Sequence, residues 1–253
     1  MVVAEGVPSL GELFDFQTGL WGVPFLSWPI LSMLIAFTLV SAFMLTAFNK
    51  QAVVPSRYQM VGEAVLGFVR KDIAEQTIGH GGEKFVPYLA TLFLLIFAFN
   101  LMEIFPGVAF PATSRIAVPL TFAVITYLVF NFQGLKAQGV GAYFKGIFFP
   151  PGVPKFMYVL LTPIEFLSIL VIRPVTLTLR LTFNMLAGHL ILSLVAVLCM
   201  SLWTPSFKAG FLPFAVAIGV GLTGFELFVG FLQAFIFTIL TALYIGGAVH
   251  PEH

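Results

Sequence analysis

Six ionisable side chains, Glu103, Glu165, Arg173, Arg180, His189 and Glu226, fall inside or at the edge of long apolar runs. On insertion scales each costs at least about 2.5–3.5 kcal/mol in hydrocarbon, so such groups are functional candidates by default. Two of them also fit a structural role. Glu103, in NLMEIFPG near a span end, fits a solvated carboxylate, and Arg173, just before Pro174, fits a cation snorkelling to the headgroups. Arg180 is harder to dismiss, because it lies well inside LTLRLTFNMLAGHLIL (177–192) and a guanidinium keeps its charge in any protein setting.

Other chemistries find little support. HGGEK (80–84) lacks the H-E-x-x-H spacing of a metal site, so His80 and Glu83 read as solvated loop residues. Neither a G-x-S-x-G elbow nor a G-x-x-x-x-G-K-[ST] phosphate loop occurs, and the single cysteine, Cys199, sits in an apolar run. No metal, no cofactor and no catalysis of its own are expected of this chain. With 12 Lys and Arg against 11 Asp and Glu, scattered rather than clustered, it shows no sign of nucleic-acid binding.

These residues must be positioned by membrane helices. Hydrophobic side chains make up 59% and charged ones only 9%, and the mean hydropathy is +1.03, which is outside the range of soluble domains. The expected fold is an all-α membrane protein forming a single domain over residues 1–253. Spans need about 20 apolar residues, and 28–48, 85–105 and 116–135 supply them. Two longer tracts, 157–203 and 211–249, are separated by WTPSFKAG; the first is either two spans or one long tilted helix, with a kink at Pro163 or Pro174 left open. Counting each tract once gives about five crossings.

Residues 57–78 differ. Met60, Val61, Ala64, Val65, Phe68 and Val69 recur at helical spacing, with Glu63, Arg70 and Asp72 mostly off that stripe. This reads as an interfacial amphipathic helix, the alternative being a soluble helix covering a small domain. Residues 1–27 carry Glu5, Glu12 and Asp15 and, in the first twenty, no basic residue, so they read as an external segment that stays on the mature protein.

Orientation follows from the basic residues. Lys50, Arg57, Arg70, Lys71 and Lys84 follow the first span and Lys136, Lys145 and Lys155 the third, against Arg115 and Lys208 on the other side. Basic loops stay in the cytoplasm, which puts the N-terminus outside and the C-terminus inside.

If the two long tracts form an antiparallel pair, placing Arg180 level with Gln233 also brings His189 level with Glu226 to within about one residue each. Asn184 shares the face of Arg180 one turn on, whereas His189, nine residues on, is turned about 180° away. His189, Glu226, Asn100 and Glu103 then fall in the outer half of the membrane. Glu165, Ser168 and Arg173 fall in the inner half, with Tyr244 and His250 available from the other tract. An imidazole beside a carboxylate exchanges protons near neutral pH, and a fixed cation between two polar sets blocks a straight leak. The division suits proton transfer better than a continuous pore.

LRLTFNMLAGHLIL together with FLQAFIFTILTALYI and NLMEIFPG resembles subunit a of the F-type rotary ATP synthase, over essentially the whole chain after the N-terminal segment. The combination of R-x-x-x-N with Q-A-F-I-F carries the resemblance; either motif alone is much weaker. What it implies is a stator subunit of the bacterial inner membrane with two offset half-channels leading to the carboxylates of a rotating c-ring. The last two helices would form a long tilted hairpin against that ring. By motif position Arg180 looks like the essential arginine, Gln233 like the glutamine opposite it, Asn184 like the asparagine one turn on, and Glu165 like an acid of the inner half-channel. Implied partners are the c-ring, b-type peripheral-stalk subunits, the remaining synthase subunits, which carry the ATP chemistry, the lipid bilayer and protons. One departure stands out: several bacterial relatives carry the acid and imidazole of positions 189 and 226 in the opposite order. A sodium-driven synthase is the nearest variant. A cation/proton antiporter is the more distant rival, although the internal repeats common in such transporters are not visible here.

Overall fold

A computed structural model describes residues 28–48, 55–79, 81–104, 116–148, 155–203 and 210–249. Every regular element among them is helical. They run α1 (Trp28–Phe48), α2 (Arg57–Phe68), a π turn (Val69–Ala74), α3 (Glu75–Thr77), a 3-10 turn (Gly82–Phe85) and α4 (Val86–Ile104). Then come α5 (Ala117–Gln138), α6 (Val140–Phe148), a 3-10 turn (Lys155–Met157), α7 (Tyr158–Leu167), a second π turn (Ser168–Ile172), α8 (Arg173–Leu202) and α9 (Leu212–Val249).

Five helical stretches are long and apolar enough to cross a bilayer: Ile30–Phe48, Gly82–Met102, Ala117–Gln138, Leu160–Leu202 and Leu212–Val249. The open question of the first long tract is answered by continuity, since α7, the π turn and α8 form one run whose apolar part has 43 residues. At 1.5 Å per residue that is about 65 Å, roughly twice the hydrocarbon thickness, so the helix must lie tilted or extend beyond the membrane. The π turn sits where Pro174 demands it. In an α-helix the proline ring would strike the carbonyl four residues back, at Leu170, and the wider turn over Ser168–Ile172 moves that carbonyl aside.

Helix α9 is the axis of the assembly and packs against α4, α5 and α8. In lipid, helices gain little from hydrophobic burial against one another and associate through close packing of small residues. The buried face of α9 is built that way, from Gly230, Ala234, Thr238, Thr241, Ala242, Gly246 and Ala248. The threonine hydroxyls bond back to carbonyls of their own helix, Thr238 to Ala234 and Thr241 to Phe237, so neither hydroxyl is left bare in hydrocarbon. Phe68, Phe93, Phe97, Phe231 and Phe235 interlock with ring centroids 5.7–6.4 Å apart, joining the end of α2 to α4 and α9.

Three features of this architecture depart from the sequence reading. The stripe expected over 57–78 is interrupted: Met60, Val61 and Ala64 are exposed, Val65 and Phe68 half-buried, and Val69, Ile73 and Ala74 fully buried in the protein core. The buried residues of α2 are instead Gln59 and Gly62, which leaves Met60, Val61 and Ala64 outside, and the π turn beyond Phe68 carries Val69, Ile73 and Ala74 into the core. The same turn brings Arg70 onto Glu75, five residues on, at 3.2 Å. Glu83, read as a loop carboxylate, lies in the 3-10 turn and pairs with Arg70 as well. The two carboxylates raise the already high pKa of the guanidinium, the Glu75 hydrogen bond most of all. Finally, α6 was not expected; Gly139, at φ +82°, makes the sharp turn from α5 that a side chain would strain.

Candidate functional site

The α8–α9 hairpin carries the central groups. A methyl group built on Gly188 would overlap the Glu226 carboxyl, and one built on Gly219 would meet Val195 at 3.2 Å. These two contacts fix one antiparallel register along the hairpin, within a residue of the alignment that puts Arg180 level with Gln233. Glu226 therefore lies on Gly188, beside His189 in the chain, and the residue is 8% exposed.

Arg180 points the other way. It is exposed, on a stripe shared with Thr176, Phe183, Ala187 and Ile191 at three- and four-residue spacing, where Phe183 is 59% exposed. Among the described residues no hydrogen bond or ion pair reaches its guanidinium; the three ion pairs there involve Arg70 and Arg173. Nor does Gln233 reach it: Gln233 is buried and its Nε2 has no partner among the described residues. The Asn184 Nδ2 and Glu226 Oε1 atoms are likewise buried without one. A buried polar atom left unpaired costs about 1–3 kcal/mol. Three such atoms lie along this hairpin.

Asn100, expected in the outer half-channel, lies between two helices. It is 2% exposed, and its Nδ2 donates to the Gly230 carbonyl at 3.0 Å, bridging α4 and α9. Glu103 belongs to the last turn of α4.

The inner groups do come together. Arg173 Nη2 lies 3.6 Å from Glu165 Oε1, both side chains half-buried, and its guanidinium stacks 5.0 Å from the centre of the Tyr244 ring. The π turn makes this possible. Eight residues of α-helix would leave Glu165 and Arg173 about 80° apart, whereas the extra residue of the i→i+5 turn closes two full turns. A snorkelling role for Arg173 is replaced by this pairing within the protein. Ser168 opens the π turn and its carbonyl accepts the Arg173 N–H. His250 lies outside the described residues.

With this geometry in hand, a family profile described as ATP synthase A chain matches residues 30–246. The chain belongs to that family. It is 41% identical over 238 residues to the ATP synthase subunit a of Parafrankia sp. (strain EAN1pec), covering 93% of this chain and 80% of the relative. It is 39% identical over 249 residues to that of Rhodococcus erythropolis (strain PR4 / NBRC 100887), covering 97% and 90%. Against the subunit a of Frankia alni the identity is 44% over 208 residues, or 81% and 72% of the two chains. With its five membrane-length helices, this member of the ATP synthase A chain family is a multi-pass membrane protein.

Two bonded polar residues of α5 and α6 escaped the sequence reading, Asn131 and Tyr143. The Tyr143 hydroxyl donates to Asn131 Oδ1 at 2.9 Å, and Asn131 Nδ2 donates to the Tyr127 carbonyl at 2.7 Å. The one available signal was a lone asparagine in the apolar run of 116–135, which span counting passed over.

Proposed function

We propose that this chain is the proton-translocating stator subunit of a bacterial F-type ATP synthase, with its N-terminus outside and its C-terminus in the cytoplasm. Protons would enter from outside through the polar set around His189 and Glu226 and bind a carboxylate on the neighbouring c-ring. They would leave to the cytoplasm through the set around Glu165, Ser168, Arg173 and Tyr244. ATP chemistry belongs to partner subunits, and b-type stalk subunits hold the stator in place.

The observation that carries this reading is Arg180, an exposed cation on an apolar stripe with no partner from its own chain among the described residues. An unpaired charge at bilayer depth is costly, so a counter-charge outside the chain is required. A ring carboxylate passing the guanidinium meets that requirement. The same attraction keeps the carboxylate ionised, so a proton must be shed before passage and picked up after it, which couples flux to rotation. Each elementary charge crossing 100 mV is worth about 2.3 kcal/mol.

The test is Arg180→Ala in inverted membrane vesicles. Loss of ATP-driven proton pumping, with ATPase activity of detached catalytic heads intact, supports the stator reading. Undisturbed pumping with solute exchange abolished would replace it with the antiporter.

A further inference from the structure

A cavity that the proposed function leaves unused opens between the end of α2 and the start of α4. Its volume is about 610 Å³, within the range of about 300–1,000 Å³ found for small-molecule sites. The floor is apolar, with Leu66 and Gly67 from α2 and Val86 and Pro87 from α4. A methyl group built on Gly67 would meet nothing within 4 Å, so the missing side chain leaves this space open. The rim is charged, with Glu63, Arg70, Lys71, Glu75 and Glu83. Glu83 and Val86 stand where the membrane-length stretch Gly82–Met102 begins, so rim and floor span the level at which a lipid headgroup gives way to its acyl chains.

The charges of the rim discriminate among headgroups. Arg70 already holds one oxygen of Glu75, at 3.2 Å, and one of Glu83, and one oxygen of Glu63 accepts from Gln59 Nε2 at 2.8 Å. Each carboxylate keeps a second oxygen as an acceptor. Lys71 takes part in none of the three ion pairs among the described residues, which leaves its ammonium to a phosphate. Three carboxylates against two cations give the rim a negative excess, and that opposes a headgroup whose only charge is its phosphate. A quaternary ammonium has no N–H to donate and is recognised by aromatic rings, none of which lines this cavity. A primary ammonium beside a phosphate answers both signs of charge. A partner helix would need a longer strip of small or apolar residues than the four of this floor.

We propose that this cavity binds a phospholipid with a zwitterionic primary-amine headgroup, phosphatidylethanolamine. Its phosphate sits on Lys71, its ammonium donates to the carboxylates of the rim, and an acyl chain starts along Gly67 and Pro87. A lipid held this way clamps the end of α2 to the start of α4.

The experiment places the assembled synthase in phosphatidylcholine vesicles with a trace of phosphatidylethanolamine that carries a photoreactive diazirine near the top of one chain. Matching phosphatidylcholine and phosphatidylglycerol probes are run in parallel. After illumination, label is measured in peptides covering residues 57–87 and, as an internal reference, in α1, where Leu34, Phe37 and Leu45 are exposed. Relative to α1, the ethanolamine probe is expected to label 57–87 at least about fivefold more than either other probe. Gly67→Leu fills the floor without a clash and suits a helix better than glycine; it is expected to bring that label down to the choline level. Lys71→Ala is expected to lower it by about threefold or more while the choline label stays unchanged. Equal labelling by the three probes, a preference for phosphatidylglycerol, or an ethanolamine signal that survives Gly67→Leu overturns the proposal. Absence of label from all three overturns it as well and gives the cavity to a neighbouring protein chain.

Discussion

The Glu226 carboxyl occupies the space in which a side chain at Gly188 would stand. Crowding of this kind costs about 1–3 kcal/mol in a packed interior. Here the cheapest relief is rotation of the carboxyl away from α8 and from the neighbourhood of His189. Gly188→Ala is therefore expected to lower ATP-driven proton pumping by about tenfold or more at unchanged amounts of assembled synthase. Adding Glu226→Asp, one methylene shorter, should restore part of the flux. Full pumping in Gly188→Ala would show that the carboxyl does its work from some other position.

Asn100 is expected to matter for stability before transport. Its side chain bridges α4 and α9 through the Gly230 carbonyl, and interhelical hydrogen bonds in membranes average about 0.6 kcal/mol. Asn100→Ala should lower the thermal stability of the solubilised complex by a few degrees while proton pumping at ambient temperature stays within about twofold. A tenfold fall in pumping with unchanged Tm would return Asn100 to the conduction path.

The π turn over Ser168–Ile172 sets the phase between Glu165 and Arg173. Pro174→Ala removes the ring that demands it, and α winding over the same eight residues should leave Glu165 about 80° from its partner. Proton release to the inner face should then fall by an order of magnitude or more, comparable with Glu165→Ala measured in parallel. If pumping survives Pro174→Ala while Glu165→Ala abolishes it, the acid acts without Arg173.

Much of this architecture was legible in the sequence because bilayer thickness imposes a length that apolar runs must meet, and the five long helices answer to it. The hairpin register was legible too, since Arg180, His189, Glu226 and Gln233 are rare polar marks on apolar helices and allow few alignments. The two π turns were not, because each adds a single residue and periodicity counting assumes 3.6 throughout. The stripe from Met60 to Val69 was misplaced for another reason: α2 turns Gln59 and Gly62 inward, and neither is an apolar side chain that marks a buried face. Helix α6 has nine residues, too few for a span, and its reason for folding is tertiary: Tyr143 has a berth only when Gly134 of another helix faces it. Arg70 and Glu83 met the same limit, being thirteen residues apart and joined only once the chain has turned through Gly81 and Gly82.

The order of acid and imidazole offers the last prediction. Glu226 lies against Gly188, next to His189, so positions 189 and 226 share one small region of the hairpin. Replacing His189 by Glu alone puts two carboxylates there, and like charges at close range cannot both stay ionised. Replacing Glu226 by His alone leaves two imidazoles and no acid to hand a proton to. Either single change should cut ATP-driven pumping by at least about tenfold, the usual range for a misplaced acid–base group being 10²–10⁴. His189→Glu combined with Glu226→His keeps one of each, and Gly188 leaves room for whichever side chain reaches across from α9. The combined variant should pump several-fold faster than either single one, read as vesicle acidification at matched synthase content. A double exchange as inactive as both singles would mean that each position requires its own group, and that proximity alone does not make the pair.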